Sequence, residues 1–205
     1  MYSRYSFVLI LLGVILINGI RAAVSSIFIP LYHFNKTCLQ RKWDYEPISI
    51  TAFTSDESLI SFNISLVRIG RGEYGASAIV EWNYDTTEET MVEGVVYRSS
   101  SGAESDYRVL PYSIPKQSFY EYLNTYYKDV VMKNLAHCSN IPIFEDKFQP
   151  PWPKKTYIGD KCVVDGDGLP EIVPPGMYKI VCNCTGPDQP TWGLTIIFKL
   201  TNRIF

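Results

Sequence analysis

The chain has 205 residues and a formal net charge of −2, so nothing in its charge points to nucleic acid or to an anionic membrane surface as a partner. Fifteen Tyr, ten Phe and four Trp make a heavy aromatic load, which suits either a packed core or a ligand cavity. The length suits one domain with a full core.

Arg4 precedes an apolar run over residues 7–17, extended through Asn18 and Gly19 to Ile20 and followed by Ala22 and Ala23. This is the order of a secretory signal peptide, and the run is shorter than the ~20 residues of a membrane helix. The expectation is a cleaved leader over residues 1–22 and a single secreted domain over 23–205, with membrane contact at most transient. A retained anchor is the alternative.

Strand-like segments follow over residues 48–54, 59–68, 75–84 and 90–98, separated by Ser-Asp-Glu, Gly-Arg-Gly and Asp-Thr-Thr-Glu-Glu turn or loop signals. In 59–68 the period-two alternation turns Ile60, Phe62, Ile64 and Leu66 to one face and Ser61, Asn63 and Ser65 to the other. In 75–84 it sets Ala76, Ala78, Val80, Trp82 and Tyr84 against Ser77, Glu81 and Asn83. One segment departs from this period. Phe119, Tyr122, Leu123, Tyr126, Tyr127, Val130 and Val131 recur at three and four, predicting an amphipathic helix over 115–135 with Pro115 in its first turn. Such a helix either packs on a sheet as core or lines the mouth of a cup.

Residues 148–153 read Phe-Gln-Pro-Pro-Trp-Pro, an extended loop in which Trp152 either packs down or stands out as a wedge. After a Pro-Pro-Gly turn, two further strands are expected over 177–184 and 192–201. In the second, Trp192, Leu194, Ile196, Phe198 and Leu200 share a face. The fold class expected is mainly β: a single antiparallel β-cup or sandwich with one amphipathic helix.

Cys38, Cys138, Cys162, Cys182 and Cys184 make an odd set, so an oxidising compartment leaves at least one unpaired within the chain. Cys138–Cys162 is the favoured bridge because it closes a Pro-rich segment. Cys38 is expected to tie the N-terminal segment to Cys182 or Cys184, leaving the other free or paired between chains. Sequons at Asn35, Asn63 and Asn183 permit N-glycosylation. An outward Asn183 turns Cys182 and Cys184 inward together.

No Cys-x-x-Cys, His-x-x-x-His, P-loop, nucleophile elbow or dinucleotide glycine pattern occurs, and the two histidines, His33 and His137, are far apart. Ser99-Ser100-Ser101-Gly102 reads as a loop. Asp165-Gly166-Asp167-Gly168 lacks the full calcium-loop register and reads as a Gly-rich turn. Glu88-Glu89 reads as solvated. The expectation is a protein that is not an enzyme and needs no metal or cofactor.

The ordered set Val96-Tyr97-Arg98-Ser99-Ser100-Ser101-Gly102, Asp106-Tyr107-Arg108-Val109-Leu110-Pro111, Phe119-Tyr120-Glu121-Tyr122-Leu123-Asn124, His137-Cys138-Ser139-Asn140-Ile141-Pro142, Pro150-Pro151-Trp152-Pro153 and Cys162 resembles the insect CheB/CheA chemosensory proteins. Those are secreted relatives of the GM2 activator, associated with gustatory sensilla. The finish, Leu169-Pro170 to Pro174-x-Gly176-x-Tyr178-x-Ile180 and a closing hairpin, is similar to that of GM2-activator-like and MD-2-like lipid-recognition proteins. The resemblance covers residues 43–205 and implies a β-cup that holds a lipid or contact-pheromone type ligand in gustatory or pheromone perception. It departs at one place. The GM2-activator family usually carries a tethering cysteine in the last strand, where this chain reads Trp192-Gly193-Leu194. No hydrolase-activating role is carried over.

On that reading the pocket is expected among Phe62, Ile64, Val80, Trp82, Ile196 and Phe198, with Phe119, Leu123 and Tyr126 from the helix. The alternative is a secreted interaction protein that engages a receptor, channel or hydrolase through a patch around Trp152 or the 185–191 loop, without carrying a ligand.

Overall fold

The computed structural model describes residues 42–203. Within them the strands are β1 Trp43–Thr54, β2 Ile60–Gly70, β3 Glu73–Trp82, β4 Met91–Ser99, β5 Arg108–Ser118, β6 Lys155–Cys162, β7 Gly176–Thr185 and β8 Trp192–Asn202. They form two antiparallel sheets, ordered β1-β8-β7-β4-β5 and β2-β3-β6. One helical segment over residues 119–135, here α1, lies between β5 and β6. It comprises an α turn Phe119–Tyr122, a π-helical stretch Leu123–Val131 and an α turn Met132–Leu135. Over the described residues the protein is a mainly β antiparallel sandwich with one helical segment. The expected leader, Asn35 and Cys38 lie outside the described residues.

Register explains which side chains turn inward. Trp192, Leu194, Ile196, Phe198 and Leu200 of β8 stand opposite Cys184, Cys182, Ile180, Tyr178 and Gly176 of β7. On the other flank, Tyr45 and Pro47 of β1 meet Leu200 and Phe198, and a bulge at Ile48 then brings Ile50 opposite Ile196. Without the extra residue the second half of β1 would present its opposite face to the core. Ile48 is left 48% exposed by the same bulge. In the small sheet, Phe62–Val80, Ile64–Ala78 and Leu66–Ala76 pair on the inner face, while Asn63 is exposed opposite Ile79.

The edges are managed by sequence. Pro111 and Pro115 both fall in β5, an edge strand whose pairing with β4 is twice interrupted by irregularities. A residue without an N–H is tolerated there. At the outer edge of β6, residue Asn140 imitates a strand. Its backbone N–H donates to the Ile158 carbonyl, its Oδ1 accepts from the Ile158 N–H at 2.8 Å, and its Nδ2 donates to the Thr156 carbonyl at 3.0 Å.

Several expectations need correction. The helix begins at Phe119, not 115. Ser118 is its N-cap, with Oγ accepting from the Glu121 N–H at 3.2 Å, and Pro115 belongs to β5. β1 starts at Trp43 rather than at residue 48. β5 and β6 were not foreseen as strands. Prolines and charges in β5, and charges and a glycine in β6, obscure the alternation that packing then enforces.

The core has two parts. At one end the Trp82 ring stacks on Tyr84 at 5.0 Å and on Phe119 at 5.7 Å, and meets Trp192 edge-on at 5.5 Å. Leu123, Tyr127, Phe148, Trp152 and Tyr157 complete this aromatic cluster. Trp43, Val96, Val173, Tyr178, Phe198 and Leu200 form the second.

Candidate functional site

Between the two clusters the sandwich does not fill. A partly open cavity of about 330 Å³ remains. Its walls are Trp43, Tyr45, Pro47 and Ile50 from β1, Ile196, Phe198 and Leu200 from β8, Ile180 from β7, and Leu66, Tyr74 and Ala76 from the β2–β3 hairpin. Val130, Val131, Asn134 and Leu135 of α1 close one side, and Cys162, Val164, Leu169 and Val173 another. The reason lies in the inner face of β3, which runs Tyr74, Ala76, Ala78, Val80, Trp82. Bulk at the Trp82 end fills the space between the layers; alanine toward the other end cannot.

The lining is apolar, and no charged side chain belongs to it among the described residues. Three of its polar side chains are committed elsewhere. Trp43 Nε1 donates to the Pro170 carbonyl at 2.7 Å, and the Tyr45 hydroxyl accepts from the Val164 N–H at 2.8 Å. Asn134, 2% exposed, donates to the Val130 and Asp167 carbonyls and accepts from the Gly166 N–H at 2.9 Å. All three reach one segment, residues 163–175 between β6 and β7. Tyr178 and Arg98 hold its far end through the Pro174 and Pro175 carbonyls at 2.6 Å each. The segment is a strap across the cavity, fastened by the polar atoms that would otherwise face a ligand. Gly168 fits it to α1. Its φ is +78°, and a Cβ there would stand 2.3 Å from the Asp129 carbonyl oxygen. The Asp165–Gly168 stretch, read from sequence as a Gly-rich turn, belongs to this strap.

A disulfide joins Cys138, just past α1, to Cys162 of β6, with Cα atoms 5.4 Å apart. It ties the helix end that lines the cavity to the small sheet. Cys182 and Cys184 are free thiols on the inner face of β7. Burial pushes the Cys182 thiol up to about 11 and the Cys184 thiol up to about 12, so both are neutral and weakly nucleophilic near neutral pH. Burial likewise raises Tyr122 and Tyr84, and the Tyr84 hydroxyl accepts from Trp192 Nε1 at 2.8 Å.

Of the residues expected to form a pocket, Ile196 and Phe198 line the cavity. Trp82, Phe119 and Leu123 are buried in the aromatic cluster, against which Phe62 and Val80 pack. Tyr126 is buried, 7% exposed, and Ile64 is half-buried; neither lines the space. The helix does two jobs by halves: its first turns join the aromatic cluster and its last turns wall the cavity. Trp152 is 5% exposed within the aromatic cluster, so it is no surface wedge. The 185–191 loop is held by Gln189, which accepts from the Thr90 hydroxyl at 2.8 Å, and by the Thr191 N–H on Ser55 Oγ at 2.9 Å. The wall residues of β1 and the strap escaped the sequence reading. The taper from Trp82 to Ala76 was the available signal.

Residues 92–180 match the model of a family described as a protein of unknown function, DUF1091. The matched stretch runs from β4 into β7 and holds the helix, the disulfide and the strap. The match is consistent with the resemblance to the lipid-recognition-like insect proteins, and it assigns no ligand. No curated protein matches the chain. Among the described residues no helix is long and apolar enough to cross a membrane.

Proposed function

We propose that the protein is a secreted carrier that holds one lipophilic ligand, a lipid or contact-pheromone type molecule, in the cavity between its sheets and presents it in gustatory or pheromone perception. The observation that carries this reading is an apolar space of about 330 Å³ whose buried polar neighbours are already engaged. A methylene takes roughly the volume of a water molecule, ~30 Å³, so about ten carbons fit. Burying ten methylenes at ~0.8 kcal/mol each offers ~8 kcal/mol before ordering costs. The chemosensory setting draws its support from the sequence resemblance, and secretion from the leader-like N-terminus. A chemosensory receptor or channel is the expected partner of the loaded form. The reading requires no catalysis and no cofactor; the two free thiols among the described residues, held neutral by burial, suit packing rather than nucleophilic chemistry.

Native mass spectra of the secreted protein, before and after organic extraction, test it. A ligand of a few hundred daltons bound one-to-one and removed by solvent supports the carrier. A bare protein that takes up no fatty acid, hydrocarbon or glycolipid overturns it.

A further inference from the structure

Resting on the carrier reading, we propose that the ligand is an anionic amphiphile and that Arg68 holds its head at the lip of the cavity. The argument starts from register. On β2 the inner face runs Ile60, Phe62, Ile64, Leu66, Arg68, and the strand keeps its pairing through Arg68, which stands directly opposite Tyr74. The preceding pair on that face is Leu66–Ala76. Leu66, Ala76 and Tyr74 all line the cavity, and Tyr74, 37% exposed, marks where that wall meets solvent. Arg68 therefore ends the apolar wall on the face of the ligand, with its side chain exposed.

Its own bonding leaves the charge available. Nε donates to the Gly70 carbonyl at 3.0 Å, which draws the side chain along the hairpin tip. None of the four ion pairs among the described residues uses it. The neighbouring carboxylate, Glu73, is turned over Gly70, where it stands 2.9 Å from the place a Cβ would occupy. A guanidinium presents paired N–H groups in a planar fork that matches carboxylate or phosphate oxygens. Because no charged side chain among the described residues lines the cavity, an anionic amphiphile buries its tail and keeps its anion solvated or paired with the tail inward and the head at Arg68.

The test compares dodecanoate, dodecyl phosphate and dodecanol, by calorimetry on the delipidated, secreted protein and on its Arg68→Gln and Arg71→Gln variants. Dodecanoate and dodecyl phosphate should bind about tenfold more tightly than dodecanol, the low end of a charge-assisted hydrogen bond at an exposed site. Arg68→Gln should remove that difference and leave dodecanol unchanged. Arg71→Gln, in the turn beyond the paired strand, should leave it in place. Added salt should narrow it. Inorganic phosphate alone should not compete; competition would make this a bare anion site and overturn the proposal. Equal losses in the two variants, or tight binding to phosphatidylserine vesicles with no uptake of the single-chain ligands, would make the tip a general basic patch and overturn it too. Equal affinity of wild type for all three ligands refutes the headgroup assignment while leaving the carrier reading intact. Failure of all three to bind defeats both.

Discussion

Filling the cavity from Ala76 separates an open site from a packed core by the sign of one number. Ala76 pairs with Leu66 on one side and Cys162 on the other, and all three line the cavity. Ala76→Leu adds three carbons on the inner face. If they enter existing space, at ~0.8 kcal/mol per methylene, the ligand-free protein gains ~2.4 kcal/mol. If the space is instead well packed, overpacking costs ~1–3 kcal/mol. The same three carbons displace part of the ligand tail, and ~2.4 kcal/mol corresponds to a loss of affinity of about sixtyfold. Urea melts of the delipidated protein give the first quantity, and calorimetric titration with dodecanoate the second. A variant destabilised by more than ~1 kcal/mol with unchanged affinity would refute both the cavity and its occupant.

Other perturbations probe the frame around the site. Gly168→Ala puts a Cβ against the Asp129 carbonyl at a φ of +78°, so the strap must shift. We expect a loss above ~1 kcal/mol and faster amide exchange over residues 164–170, while unchanged exchange would mean that the strap does not depend on this contact. Removing the Cys138–Cys162 bridge by a Cys138→Ser, Cys162→Ser pair opens a loop with a sequence separation of 24, which the loop-entropy relation values at ~3.4 kcal/mol, read from the chemical melt. Asp106 accepts from Ser99, Ser100 and Ser101 hydroxyls and the Ser101 N–H, with the Ser101 bonds lowering its carboxyl most, from 3.8 to about 2. Because the folded value is the lower one, its stabilisation is present above pH 3.8 and fades as pH falls toward about 2. Asp106→Asn should flatten that acid limb of the stability curve. Cys182 and Cys184 should resist iodoacetamide in the folded protein at pH 7.5 and react once it is unfolded; rapid labelling of the native form would contradict their burial.

Much of the architecture is legible in the residues. Strict alternation in β2, β3 and β8 identifies strands and their inner faces, because successive side chains point to opposite sides. The three-and-four spacing from Phe119 to Val131 marks a helix for the same geometric reason. Where the pattern is broken, legibility ends. β5 carries two prolines and β6 reads Lys-Thr-Tyr-Ile-Gly-Asp-Lys-Cys, and both are strands because their neighbours supply the missing partners. Pro115 illustrates the limit: its fixed φ suits a helix start and an edge strand alike, and the cap at Ser118 decides between them.

By itself, then, the sequence determines the class of fold, the inner and outer face of the regular strands and the amphipathic helix, all of which follow from local period. The Cys138–Cys162 pairing is one favoured pattern among several until the structure places the two cysteines together. Tertiary structure alone decides where the interior stays empty. Phe119 and Val130 sit on the same apolar side of one helix, yet one is aromatic core and the other cavity wall. The difference is what stands across from them: Trp82 and its neighbours at one end of the layers, Ala76 and Gly75 at the other. A cavity is a deficit of volume between elements remote in sequence, and no local pattern encodes a sum taken across six strands, a helix and a strap.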